Sequence, residues 1–203
     1  MRDLWPRWAK RFDAEPLFAT SAGGLTIVLI SSSTMWRCEI SGPRIDLYWV
    51  RPEPQAPALQ VADFYGAAGP FLSEYSGFFE LRVGRLAAIV TRLARHDSPA
   101  TALAQHFCRS DRQDVLEDSQ SFELHTHQRL ALGTRLLCNT RVRAAAGLAA
   151  DVGPTLIKLE QDVNTLADEA AARNFKPAEM AEFYTAAGAA LEAGLTASFP
   201  PAG

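Results

Sequence analysis

Phe122–Arg143 reads FELHTHQRLALGTRLLCNTRVR, and the fold turns on whether this stretch is a hairpin or a helix. Phe122, Leu124, Thr126, Gln128, Leu130 and Leu132 share one parity, and Glu123, His125, His127, Arg129 and Ala131 share the other. Alternation of period two is the mark of a half-buried strand. Gly133-Thr134 supplies a turn, and Arg135–Arg143 returns with Arg135, Arg141 and Arg143 on one side. A helix over 128–146 also accommodates Leu130, Leu137 and the alanine run. We read a hairpin.

The chemistry depends on that choice. In a strand, Glu123, His125 and His127 project to one face. One carboxylate and two imidazoles suit a divalent metal, zinc or non-haem iron. In a helix, residues two apart diverge. Three such strand positions still span about 13 Å, too far for one ion without curvature. His125 and His127, with a third ligand from His106 or Cys108, make the more compact version. The plainer reading is a polar strand face whose histidines bond to their neighbours. Arg129, Arg135, Arg141 and Arg143 form a second candidate, an anion-binding face, because guanidinium forks match phosphate and carboxylate. No aromatic residue lies between Glu123 and Arg143 to stack on bases, which disfavours nucleic acid.

Upstream, Leu25–Ser31, Met35–Ser41 and Ile45–Trp49 are branched or alternating, and Gly42-Pro43 separates the last two. They predict a three-stranded meander. Leu4, Trp8 and Phe12, spaced by four, predict an opening helix over 4–19. Pro52, Pro54 and Pro57 end the meander, since proline lacks a ladder donor. Residues 58–76 predict a helix broken near Gly69-Pro70, and 78–83 a strand. Leu86, Ile89, Val90 and Leu93 are spaced as in a helix, and Ser98-Pro99 opens another through Phe107. After the polar stretch 109–119 and the hairpin, Leu156, Leu159, Val163, Leu166 and Ala170 step by three and four from Pro154. Met180, Phe183, Ala187, Leu191 and Gly194 repeat that spacing from Pro177. This predicts a C-terminal antiparallel helical pair over 154–197.

The expectation is a single α+β domain over 1–203. It has one antiparallel sheet of about five strands, in segments 25–50 and 120–143, with an opening helix, middle helices and the C-terminal pair.

Composition narrows the function classes. The 203 residues are 48% hydrophobic and 21% charged, enough for a core and unlike a disordered chain. Net charge is −3, against bulk attraction to nucleic acid or anionic membrane. Residues 82–143 carry ten Arg and six acids, whereas 151–203 carry eight acids and three basic residues. The two parts are expected to screen each other or to present a basic face. Cys38, Cys108 and Cys138 form no close pair, which disfavours a disulfide scaffold or a redox centre. Cys138, among apolar neighbours, reads as buried rather than reactive. Neither the serine elbow of hydrolases nor a glycine-rich phosphate loop is present. The charged start lacks a secretory pattern, and no apolar run approaches a membrane span. A cytoplasmic location follows as the default. Alanine at 34 positions and 17 Arg against 3 Lys suggest a GC-rich, bacterial coding sequence.

No complete catalytic constellation is assembled. The chain therefore reads first as a non-catalytic accessory, adaptor or chaperone-like protein that binds a protein partner or self-associates as a homo-oligomer. A small metal-dependent enzyme with a His-based divalent metal site and an anionic-ligand or nucleic-acid binder through the central arginines are the alternatives.

Overall fold

A computed structural model describes residues 12, 17–21, 24–31, 33, 35–42, 44–51, 59–108, 119–133, 136–147 and 155–198. The chain divides into two compact units, Met1–Gln60 and Val61–Gly203.

The first unit is a four-stranded antiparallel meander: β1 (Leu17–Ser21), β2 (Gly24–Ile30), β3 (Trp36–Ser41) and β4 (Arg44–Trp49), in that spatial order. Leu29, Cys38 and Leu47 are successive cross-strand partners on one face, and Ile27, Ile40 and Ile45 form the next row. Leu29 and Cys38 are buried, and Gly42 takes a φ of +44° at the β3–β4 turn, where a side chain would be strained. The predicted three strands are present, and β1 precedes them. Its first three residues, Leu17–Ala19, fall within the opening helix expected over 4–19. Its pairing with β2, from Leu17 with Val28 to Ser21 with Gly24, outweighs the helical spacing upstream. The rest of that helix, except Phe12, lies outside the described residues.

Among its described residues the second unit holds three helices, α1 (Val61–Phe78), α2 (Pro99–Phe107) and α3 (Pro177–Ser198). It also holds a separate four-stranded antiparallel sheet of β5 (Ala87–Arg95), β6 (Ser121–Leu132), β7 (Leu136–Gly147) and β8 (Leu156–Thr165), in the order β5-β8-β7-β6. Two four-stranded sheets and three helices thus replace the expected single five-stranded sheet with a terminal helical pair. The hairpin reading holds: Phe122 pairs with Ala146 and Leu132 with Leu136.

The main correction is β8, expected as the first helix of the terminal pair. Leu159 and Val163 fit both a helical stripe and a strand stripe. What separates the two is Ile157, on the polar side of the helix but buried with Leu159 and Val163 in the strand. As an inner strand, β8 satisfies its backbone on both sides, against β5 and β7. The same ambiguity hid β5, where Ala88 faces the core and Ile89 and Leu93 face out. The strand expected over 78–83 is absent: α1 ends at Phe78, residues 79–80 turn, and 81–86 run without regular structure. There Gly84 lies so close to the backbone of Ala170 that an added Cβ would meet its carbonyl oxygen at 2.3 Å.

All three helices lie on one face of this sheet. Phe183, Ala187 and Leu191 of α3 pack with Ala88, Cys138 and Val163, while Ala100 and Leu103 of α2 pack with Ala144, Ala146, Ile157 and Leu159. The true partner of α3 is α1. Tyr65 of α1 sits against Gly188, Tyr184 of α3 sits against Gly69, and the two rings stack at 6.0 Å. Glycine at each crossing point lets the ring approach the opposite backbone. The close packing carries α1 through Pro70, which was expected to break it. Among the described residues no helix is long and apolar enough to cross a membrane.

Candidate functional site: the open face of the second sheet

Every odd-numbered residue of β6 and β7, and every even-numbered one of β8, points away from the helices. The strand register fixes who stands beside whom on that face. One row runs Ile89, Asp162, Arg141, His127, and the next runs Thr91, Glu160, Arg143, His125. They are flanked by Ala87, Asn164, Asn139, Arg129 on one side and Leu93, Lys158, Ala145, Glu123 on the other. Rows lie about 7 Å apart and strands about 4.8 Å apart. Read across the strands, the face is therefore striped: apolar on β5, acidic on β8, guanidinium on β7 and imidazole on β6. Ile89 and Leu93 are 49% and 62% exposed, large values for side chains of this kind. With Arg95 and Arg129 included, basic side chains outnumber acids on this face although the whole chain is acidic.

Two hydrogen-bonded groups order the β6 side. His125 Nε2 donates to Glu123 Oε1 at 2.7 Å, and Arg143 Nε donates to the same oxygen at 2.8 Å. The hydrogen bond from His125, reinforced by that from Arg143, holds the Glu123 carboxyl below the usual carboxylate value. In the second group, His127 Nε2 donates to Asn139 Oδ1 at 3.2 Å, and Asn139 Nδ2 reaches Asn164 Oδ1 at 3.5 Å. Asn164, almost fully buried, also accepts from Arg85 Nη2 at 3.2 Å and donates to Asp162 Oδ1 at 2.9 Å. A network of this kind fixes the rotamers of His127, Asn139, Asn164 and Asp162 around the Arg141 position.

The hairpin thus brings Glu123, His125, His127, Arg129, Arg141 and Arg143 to one face, and Arg135 lies outside the described residues. It does not bring His106 or Cys108 to the histidines. Both sit at the end of α2, on the helix-covered side, with the sheet between. Cys108 caps α2 by donating its backbone N–H to Ala104, and the His106 ring lies edge-on to Phe107. Among the described residues no group of three or more His, Cys, Asp or Glu side chains is placed to hold a metal ion. Glu123, the carboxylate of the expected triad, is engaged by a guanidinium. Burial pushes the Cys138 thiol up to about 11 and the Cys38 thiol up to about 12, so neither is poised as a nucleophile.

Sequence reasoning missed the β5 and β8 half of the face, because both segments read as helices. The signal was present in β8, where Lys158, Glu160, Asp162 and Asn164 alternate with Ile157, Leu159 and Val163. Comparison with known protein families, with curated proteins and with solved structures finds no match to this chain.

Proposed function

We propose that this chain is a non-catalytic binding protein, an adaptor or accessory subunit, whose open sheet face docks an acidic protein partner in the cytoplasm of a bacterial cell. The observation that supports this reading is the striped face itself. Helices cover one side of the second sheet, while the other combines exposed Ile89 and Leu93 with Arg141, Arg143, His125 and His127. Apolar anchors beside a positively charged field suit a partner segment with carboxylates and a few apolar side chains. Aromatic side chains are absent from the described residues of this face, so a single-stranded nucleic acid would find no stacking platform.

The test uses a labelled acidic peptide and an oligonucleotide of equal charge, followed by fluorescence anisotropy. The peptide is expected to bind more tightly than the oligonucleotide and to weaken as salt rises. The double variant Arg129→Glu/Arg141→Glu should weaken it by roughly tenfold or more. Equal binding by the variant, or preference for the oligonucleotide, would contradict the proposal. Near-stoichiometric zinc or iron in the protein purified without a tag would instead shift the reading to His125 and His127.

A further inference from the structure

We infer that the partner binds as an added strand on the outer edge of β6, and that it is an extended segment alternating acidic and apolar residues. The inference rests on the open-face reading and specifies its occupant. Among the described residues β6 is the outermost strand of its sheet, and at 12 residues it spans about 40 Å. Its register with β7 advances one residue for one from Ser121 to Leu132, without a bulge. It contains no proline or lysine, two of the devices that spoil a sheet edge for a further strand, and its charged side chains are Glu123 and Arg129. Such an edge offers a row of main-chain donors and acceptors to an extended peptide.

The side chains then specify the sequence. A segment laid beside β6 places alternate residues next to His125, His127 and Arg129 on the open face, with Arg141 and Arg143 one strand further in. Carboxylates at every second position meet this row at matching spacing, about 7 Å. The exception is the position opposite Glu123, which an acid would repel and a neutral or basic residue suits. On the other face the intervening residues meet Leu124, Thr126, Gln128 and Leu130, and Leu130 is 39% exposed just before buried Leu132. Apolar side chains at those positions would bury it. Charge complementarity thus selects the acids, and exposed Leu130 selects an apolar residue between them.

The probe is a capped peptide of about ten residues alternating Glu and Leu, with amide hydrogen exchange measured by NMR on the intact chain. Strand addition predicts that alternate β6 amides between Glu123 and Leu130 slow by roughly tenfold or more on binding. The amides between them, which face β7, should not change. Binding that is lost in Arg141→Glu but leaves β6 exchange unaltered would overturn strand addition and leave the open-face reading standing. Failure to bind, or binding indifferent to Arg141→Glu, would overturn both.

Discussion

The two faces of the second sheet are built from the same four strands, yet they obey different rules. The covered face is a row of small and apolar side chains, among them Ala88, Cys138, Ala144, Ala146, Leu159 and Val163, closed by α2 and α3. Each side chain there is held by shape, and the helices exclude water. The open face spends its strand positions on charges that a stable sheet does not need. Arg143 pairs with Glu123 at 2.8 Å, and exposed pairs of this kind contribute little to folding. One face accounts for stability, and we propose the other for recognition.

The largest expected effect lies on the covered face. Phe183→Ala should cost about 3–5 kcal/mol, read from urea unfolding, because the ring is fully buried between α1 and the sheet. Loss of less than about 1 kcal/mol would mean that the helices do not close this core. Next comes a gain. Gln161 sits on the covered face with its buried Oε1 lacking a hydrogen-bond partner among the described residues. Gln161→Met should stabilise by about 1 kcal/mol, since it removes an unmet acceptor at similar volume. A destabilised variant would show that the amide is satisfied. Tyr65→Phe removes the hydroxyl that donates to the Ile89 carbonyl at 2.8 Å and should cost about 1 kcal/mol.

On the open face the sign of the argument reverses. Ile89→Ser or Arg141→Glu should move folding stability by no more than about 0.5 kcal/mol while weakening the acidic peptide. If either unfolds the protein, the division of labour between the faces is wrong. The smallest effect is a titration. The Glu123 carboxyl, lowered first by His125 and then by Arg143, favours the folded state fully above the ordinary value of 4.5. That contribution fades as pH falls through the lowered value. In a carboxyl NMR titration, His125→Ala should raise the Glu123 midpoint, and an unchanged midpoint would deny the contact.

Strands β2, β3 and β4 and the 122–143 hairpin were legible in the sequence because their alternation is reinforced by short turns at Gly42 and Gly133. Helix α3 was legible because Met180, Phe183, Ala187 and Leu191 admit no strand reading. Strands β5 and β8 were not. In each, Leu and Val positions satisfy period 3.5 and period 2 together, and only pairing with a strand far along the chain decides between them. Ala88 and Val163, for example, become neighbours only once both strands exist. The site was half visible for the same reason. The hairpin supplied the histidines and arginines, but the acids of β8 and the apolar stripe of β5 enter the face through long-range pairing alone.

The central claim is that the helix-free side of the second sheet is the binding surface. An NMR shift map of the intact chain, titrated with the alternating acidic peptide, tests it most directly. The account predicts perturbations at His127, Arg129, Arg141 and Arg143, with α1 and α3 silent. Perturbations centred on the helices, or none at any residue of β6 and β7, would contradict it.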